Sequence, residues 1–318
     1  MAIIRTLPLL LVTLLCAACA KKPEPTTPQR AATAPTAAER DVREFKIGEL
    51  PAFALNDGGL HIPNDGKTFG VGHSPEEVAD LLRAAAASTN ELVLGIQPLL
   101  VRTPDKVLLF DTGAGGNMGA SGGKLADSMK QAGIDPASVT DVFISHAHGD
   151  HVGGLVDASG AARFPNATIH MSAPEWDFLK GMDEKEAANF AIVNHAALTA
   201  AVTPKIDAFR PGSEVIPGIV KAVEIRGHTP GHSGYLLASG ADSLLYIGDT
   251  AHHYIVSVQE PDWTVAFDGD APTAQASRKE LIAQSAATGQ RIYAVHFPFP
   301  GLGKFTRRGE RFVWTPES

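Results

Sequence analysis

Residues 146–151, His-Ala-His-Gly-Asp-His, follow the apolar run 142–144 and carry four side chains that can bind a metal ion. The three imidazoles on one loop repel one another when they are protonated. When the rings are neutral, they and the carboxylate lack partners. A bound cation resolves both conditions, because neutral imidazole and carboxylate are ligands of zinc and other divalent first-row ions. The stretch therefore predicts a metal site at the end of a buried strand.

The spacing within this stretch predicts two groups of ligands. His146 and His148 lie two residues apart, and in an extended loop such residues point the same way. Asp150 and His151 follow Gly149, which permits a sharp turn. Two groups that face one cavity favour two metal ions over one.

Three later segments place further metal-binding side chains just after predicted strands. His228 lies in the turn Gly-His-Thr-Pro-Gly-His at 227–232, Asp249 follows the apolar strand that ends near Gly248, and His296 follows Val295. In α/β folds the functional side chains gather at the carboxyl ends of the strands. We therefore expect these residues to complete the metal site.

The four segments in this order resemble the metallo-β-lactamase superfamily, and the resemblance extends from about residue 41 to the end. It implies an α/β fold, a four-layer αββα sandwich. It also implies that one divalent ion, expected to be zinc, is held by His146, His148 and His228. Asp150, His151 and His296 would hold a second ion.

The same resemblance implies roles for three more side chains. Asp249 would bridge the two metal ions. His232 and Asp111 would support the ligands without binding metal themselves. The closer resemblance is to the branch that contains methyl parathion hydrolase and related lactonases, and it rests on segments 109–114, 150–155, 296–303 and 309–313.

Composition limits the classes of partner. The 318-residue chain has 44% apolar residues, as expected of a globular protein, and a formal net charge of −8. Because no basic cluster lies beyond the N-terminus, nucleic acid is excluded as an expected partner, and a small-molecule substrate is favoured. No apolar run after residue 20 is long enough to span a bilayer.

The first forty residues predict export. Residues 1–20 have the charged start, short apolar core and small residues of a signal peptide, with Cys19 as a lipidated residue that would anchor the chain to a membrane. Ordinary cleavage after Ala20 is the alternative. Residues 21–40, rich in Pro, Ala and Thr, predict a disordered tether, and 41–318 the hydrolase domain. We expect a periplasmic or membrane-anchored lipoprotein.

Local patterns predict the elements around these motifs. Strands are expected at 45–50, 96–101, 107–110 and 139–145, and helices at 75–87, 124–132, 184–201 and 274–287. Ser74 is predicted to cap the helix at 75–87. Aromatic residues that could line a substrate pocket are Trp176, Phe178, Phe190, Trp263 and Phe267.

His252 and Tyr254, which follow Asp249 in the chain, are candidates for a catalytic role. Acyl-homoserine lactonases of the superfamily carry a Tyr three residues after the bridging Asp, whereas this chain has His252 there and a tyrosine only at Tyr254. Either side chain could polarise a substrate oxygen, and a structural role is equally open for both. The histidines at 61, 73, 170 and 195 are expected to be surface residues or hydrogen-bonded core residues.

The predicted function is that of a dinuclear metal-dependent hydrolase that uses a metal-bridging hydroxide on lactones or activated esters, with Asp150 as a proton donor to the leaving oxygen. Organophosphate triesters are an alternative substrate class. A β-lactamase is a second alternative, although the resembling β-lactamases carry Cys or a non-bridging residue at the position of Asp249. Thioester hydrolysis of the glyoxalase II type and a non-catalytic metal-binding lipoprotein also stay open.

Overall fold

A computed structural model of the chain describes residues 41–117 and 121–317. The strands, in chain order, are β1 (Val42–Ile47), β2 (Leu50–Leu55), β3 (Gly58–Pro63), β4 (Phe69–Val71), β5 (Glu91–Ile96), β6 (Leu99–Arg102), β7 (Val107–Phe110), β8 (Asp141–Phe143), β9 (Thr168–Ser172), β10 (Ile206–Phe209), β11 (Glu214–Ile216), β12 (Val220–Glu224), β13 (Ser233–Ser239), β14 (Asp242–Tyr246), β15 (Thr264–Val265), β16 (Arg291–Tyr293), β17 (Leu302–Arg308) and β18 (Arg311–Pro316). The α-helices are α1 (Pro75–Ala84), α2 (Leu125–Gln131), α3 (Gly149–Val152), α4 (Ala173–Gly181), α5 (Glu184–Asn189), α6 (His195–Val202), α7 (Val256–Gln259) and α8 (Ala271–Thr288).

Two seven-stranded sheets form the centre of the fold. The first has the order β1-β2-β6-β7-β8-β9-β10 and the second the order β11-β12-β13-β14-β16-β17-β18. A buried aromatic layer joins them, in which Phe110 and Phe143 of the first sheet meet Tyr235 and Tyr246 of the second. Burial of these large rings stabilises the contact between the sheets.

Helices cover the outer face of each sheet. Leu125 of α2, Leu179 of α4 and Leu198 of α6 pack in one cluster with strands of the first sheet. Leu281 and Ile282 of α8 pack in another cluster with strands of the second sheet. The layers are therefore helix, sheet, sheet and helix, which confirms the αββα sandwich predicted from the sequence.

A smaller layer lies beside the metal-binding loops. Strands β4 and β15 pair with each other, as do β3 and β5. Together with α1 and α7 they enclose a separate apolar cluster. Ser74 caps α1 as predicted, and its side chain accepts a hydrogen bond from the Glu77 amide. This layer supplies one wall of the cavity described below.

Three predicted elements differ from the observed ones. The expected strand at 45–50 is interrupted at Gly48, whose φ of +54° forms the turn between β1 and β2. The expected strand at 96–101 is interrupted at Gln97, whose side-chain amide donates to the carbonyls of Ala294 and Phe297. In both places a contact with a distant segment or a glycine turn overrides the local strand pattern.

The expected helix at 184–201 is two helices, α5 and α6. Between them Ala191 and Asn194 have left-handed φ values of +57° and +56°. The break brings the Phe190 carbonyl to the Gly149 amide, at 2.8 Å, and a side chain at Gly149 would collide with Ala191. The helix therefore ends where its backbone must meet the metal-binding loop.

The predicted signal peptide at 1–20 and tether at 21–40 lie outside the described residues, so export and lipidation at Cys19 stay predictions. Within the part of the chain that the structure describes, no helix is long and apolar enough to cross a membrane.

A buried charge network ties the base of the first sheet together. Asp141 accepts hydrogen bonds from Lys106 Nζ at 2.8 Å, Thr140 Oγ1 at 2.7 Å and His170 Nε2 at 2.9 Å. Burial alone would raise the pKa of Asp141, but these hydrogen bonds outweigh it and lower the pKa well below its ordinary value. The ionised carboxylate is thus the form that the fold stabilises.

We expect Asp141→Asn to lower the free energy of unfolding at pH 7 by about 1–3 kcal/mol, because charged donors lose their acceptor. A carboxyl whose pKa is lower in the folded state contributes stability above its unfolded pKa of about 3.9, and the contribution disappears as the pH falls toward the folded value. Urea unfolding at pH 7 and pH 3 should therefore show a gap between variant and wild type that narrows in acid. A gap of equal size at both pH values would contradict this role.

Candidate metal centre

The structure brings together the seven side chains predicted as metal ligands. Six are buried and His148 is half-buried. They come from loops that follow β8, β12, β14 and β16, so both sheets contribute. The full set is His146, His148, Asp150, His151, His228, Asp249 and His296.

Three imidazoles form the first group. Nε2 of His228 lies 3.1 Å from Nε2 of His146 and 3.1 Å from Nδ1 of His148. Two ligands at about 2.0–2.1 Å from a tetrahedral zinc ion lie roughly 3.3 Å apart. The three nitrogens therefore have the spacing of ligands that share one ion.

Asp150, His151 and His296 form the second group. Oδ2 of Asp150 lies 3.6 Å from Nε2 of His151 and 3.6 Å from Nε2 of His296. The group combines two nitrogen donors and one oxygen donor, a set that suits zinc and other first-row divalent ions.

Asp249 lies between the two groups, with Oδ1 facing the second and Oδ2 within reach of both, since Oδ2 also lies 3.2 Å from Nε2 of His296. Oδ1 is 3.2 Å from Nε2 of His151 and 3.0 Å from Nε2 of His296. Oδ2 is 3.4 Å from Nε2 of His228 and 3.6 Å from Nε2 of His146. This is the placement required of a carboxylate that bridges two ions.

Burial keeps the first group neutral. It lowers the pKa of His148 to about 3 and that of His228 to about 4, and it holds the pKa of His146 well below its ordinary value. At neutral pH these rings have a free lone pair, which is the form that binds a metal.

The second group sits in a strongly negative field. Burial disfavours the charged form of His151, but the carboxylates of Asp249, Asp150 and Asp111 outweigh it and raise its pKa well above the ordinary value. The pKa of His296 is also raised, because Asp249 outweighs burial in the same way. Positive charge is therefore favoured at this point, and a divalent cation supplies it.

Asp111 stands behind the second group. Its carboxylate accepts from His151 Nδ1 at 2.7 Å, from the amide and hydroxyl of Ser145 at 2.7 Å each, and from Tyr246 Oη at 2.6 Å. The backbone of Asp111 has a left-handed φ of +56°, which is unusual for a residue other than glycine. The hydrogen bond between Asp111 and Nδ1 of His151 fixes the tautomer and the orientation of the His151 ring.

His232 and Asp268 orient two other ligands. Nε2 of His232 accepts from the Asp249 amide at 2.9 Å, so this ring supports the bridging residue. Asp268 Oδ1 lies 3.0 Å from Nδ1 of His228, and its other oxygen accepts from Arg278 at 2.6 Å. The Asp268–Arg278 pair was missed from the sequence, because its members lie 40 and 50 residues from His228 and carry no local signature.

The residues present fit two metal ions. Nε2 of His151 and Oδ1 of Asp249 are buried and have no hydrogen-bond partner. Buried polar atoms without partners are costly in a folded protein and rare. These two atoms lie 3.2 Å apart with further nitrogen and oxygen ligands around them, so a cation is the partner that satisfies both.

The remaining histidines lie where the sequence placed them. His61 and His73 are on the surface, at side-chain exposures of 66% and 37%. His170 is buried between Asp141 and Asp207, and His195 donates to the Leu179 carbonyl. None of these four belongs to a metal-capable group found among the described residues.

His252 and Tyr254 occupy different environments. The ring of His252 is 1% exposed, lies 3.3 Å from Asp249 Oδ2 and faces the cavity above the ligands. Tyr254 instead lines a separate cavity with His253 and Phe297. Of these two candidates, His252 is the one that lies beside the ligands, and a role of Tyr254 toward substrate stays a prediction.

A cavity of about 200 Å³ opens above the ligands. His148, Asp150, Asp249, His252 and His296 form its floor. Its walls are mostly apolar, formed by Leu60, Leu94, Asn189, Phe190, Ala191, Ala266 and Phe267.

Two of the five aromatic residues predicted to line a pocket, Phe190 and Phe267, line this cavity. Phe190 also stacks on the ring of His148, with centroids 5.4 Å apart. Phe178 borders a neighbouring groove. Trp176 is buried in the core and Trp263 stacks on His73, so neither forms the wall.

Comparisons with known proteins agree with this geometry. Residues 93–296 match the model of the metallo-beta-lactamase superfamily. The chain is 33% identical to AidC, a dizinc quorum-quenching lactonase solved with the product N-hexnoyl-L-homoserine, with a TM-score of 0.79 over 87% of this chain and 97% of that one. It is 27% identical to the hydrolase AbOPH, with a TM-score of 0.78 over 88% and 98% of the two chains.

A curated relative is more distant. The chain is 26% identical over 184 residues to a probable metallo-hydrolase of Mycobacterium tuberculosis, a match that covers 49% of this chain. The chain spans about half the length of that relative, 56% of it.

We expect the full chain to bind two zinc ions after reconstitution, and His148→Ala and His296→Ala to bind one each, because each variant damages a different group. Asp249→Ala should weaken both sites. Plasma mass spectrometry after gel filtration gives the stoichiometry, with His61→Ala as the matched control. If Asp249→Ala kept one site at wild-type affinity, the carboxylate would not be shared.

Proposed function

Because this chain belongs to the metallo-beta-lactamase superfamily, we propose that it is a dinuclear metal-dependent hydrolase of uncharged lactones or activated esters. The observation that carries the proposal is the position of Asp249, whose carboxylate lies within reach of both ligand groups directly below an apolar cavity. A shared carboxylate holds two ions close together, where both can act on one scissile bond.

The lining of the cavity favours an uncharged substrate. No Lys or Arg is among the described residues that line it, and residues 118–120, outside the described ranges, are Met, Gly and Ala. Among the described residues of this lining, a substrate carboxylate would find no positively charged side chain, and a charged group without a partner binds poorly when it is desolvated. This argues against β-lactams and glutathione thioesters, which carry carboxylates.

The chemistry divides between the metal ions and the side chains around them. When bound, two divalent ions would polarise the scissile carbonyl and lower the pKa of the attacking water. Asp150 lines the cavity floor and is placed to take the proton that this water loses. It can then deliver the proton to the leaving oxygen as the carbon–oxygen bond breaks. The apolar wall with Phe190 and Phe267 would contact the uncharged part of the substrate.

His252 is the side chain on the cavity floor that is free to act on substrate. Neither of its ring nitrogens has a hydrogen-bond partner. Its ring packs edge-on against Phe69, with centroids 6.3 Å apart, and at a tilt against Phe267, with centroids 5.6 Å apart. A ring N–H at this position could donate to the substrate oxygen that gains charge during attack. We propose this role for His252.

Similarity to AidC supports the choice of a lactone or ester, because that protein is a dizinc lactonase and matches this chain over most of both lengths. Uncharged phosphotriesters are the second candidate. They meet the same requirement for an uncharged substrate and present an electrophilic centre with an oxygen leaving group to the same site.

The proposal is tested by a substrate panel on the zinc-loaded full chain: a γ-lactone, an aryl ester, a phosphotriester and a β-lactam. We expect turnover of the lactone and the ester, loss of turnover in Asp249→Ala, and wild-type rates in His61→Ala. Two bound zinc ions without turnover of any substrate would identify a metal-binding protein and overturn the proposal.

The preference for uncharged substrates has its own test. For two aryl esters that differ only by a carboxylate on the acyl chain, we expect kcat/KM to favour the neutral one by about 10- to 100-fold, from about 1–3 kcal/mol for a group left without a partner. Equal kcat/KM values for the two esters would contradict the preference that the uncharged cavity lining predicts.

The role of His252 is tested by His252→Phe, since the surrounding rings can accept another aromatic ring. We expect kcat to fall by about 10²–10³-fold, as for loss of a donor to a developing oxyanion, with two zinc ions retained. Tyr254→Phe tests the alternative that the tyrosine hydroxyl polarises the substrate oxygen, and this variant should keep the wild-type kcat. An unchanged kcat in His252→Phe, or a matching loss in Tyr254→Phe, would reject the assignment.

A further inference from the structure

A fully buried carboxylate lies behind the first ligand group. Glu175, in the first turn of α4, is 0% exposed, and no ion pair found among the described residues includes it. No sequence pattern singles Glu175 out, because acidic residues are common in the first turn of helices.

Three hydrogen bonds connect Glu175 to the two loops that carry the first group. Oε1 accepts from the Ala147 amide at 2.7 Å. Oε2 accepts from the Thr229 hydroxyl at 2.9 Å and from the Gly231 amide at 2.7 Å. Ala147 lies between His146 and His148, and Thr229 follows His228, so one carboxylate joins the backbone beside all three imidazoles.

The turn after His228 is packed directly on the start of α4. A Cβ at Gly231 would collide with the backbone nitrogen of Glu175. The Ser172 hydroxyl, which caps α4, donates to the Gly231 carbonyl at 2.6 Å. The turn therefore has little freedom to shift relative to the helix.

The second group has no such contact with Glu175. His151 is held by Asp111, and His296 donates to the Gly95 carbonyl at 2.6 Å. A buried carboxylate contributes little net stability compared with an apolar side chain, because its desolvation offsets its hydrogen bonds. Its value in this fold is the geometry that it imposes on the two loops.

We propose that Glu175 is a positioning residue that sets the spacing of His146, His148 and His228, and so the zinc affinity of the first site alone. The inference rests on the metal centre of the proposed function and is independent of its substrate. Supporting contacts behind metal ligands typically change metal affinity by about 10- to 100-fold, and we expect that range here.

Glu175→Gln is the direct test, because the amide keeps the shape but its nitrogen cannot accept a hydrogen bond. The variant is made in two full-chain backgrounds: His296→Ala, which leaves the first site, and His148→Ala, which leaves the second. Zinc affinity is measured by competition with a chromophoric chelator. We expect about 10- to 100-fold weaker binding in the first background and no change in the second.

Asp57→Asn is the matched control. Asp57 is also 0% exposed and accepts three backbone hydrogen bonds, from Ala114, Gly123 and Leu125, but none from a loop that carries the first group. Asp57→Asn should lower the stability of the protein without a selective loss of zinc affinity at the first site. If Glu175→Gln does not fold, Thr229→Val removes one of the three bonds and should give a smaller loss at the same site.

The outcomes separate this inference from the proposed function. Equal loss at both sites, or no loss at either, overturns the role of Glu175 while the metal centre stands. A wild-type chain that binds no zinc overturns the proposed function itself.

Discussion

The carboxylate of Asp249 is the contact on which the rest of the site depends. Its two oxygens face two groups of buried donors, each within 3.6 Å. Without a shared negative group, two cations at this distance would repel strongly, and without cations the buried donors would lack partners. The fold serves this arrangement: the loops after β8, β12, β14 and β16 converge there, and Asp111, His232 and Asp268 fix the rings around it.

The ligands could be predicted from the sequence because each lies beside a strand end with a local signature. The stretch 146–151 alone carries four of the seven. The two-sheet architecture followed from the same resemblance. Asp111 and His232 were expected from the resemblance to support the ligands, and they do. Glu175, Asp268 and Arg278 could not be predicted, because their partners are remote: Glu175 contacts Ala147 and Gly231, 28 and 56 residues away. The break between α5 and α6 was missed for the same reason, since it is set by the approach of Gly149.

Substrate choice depends on a different part of the molecule. The ligands come from the two large sheets, whereas the cavity wall draws on β3, β5 and the loop after β15, together with Phe190 between α5 and α6. These segments contribute none of the seven predicted metal ligands. Because their side chains are mostly apolar and uncharged, they determine which substrates can enter the cavity. Phe190 links the two functions, because the same ring stacks on His148 and lines the cavity.

A crystal structure of the zinc-loaded protein, with anomalous data at the zinc edge, shows whether one carboxylate joins the two metal sites. We predict two anomalous peaks on either side of Asp249, one beside His146, His148 and His228 and the other beside Asp150, His151 and His296, with one oxygen of Asp249 bound to each ion. A single peak, or two peaks of which only one contacts Asp249, would contradict it.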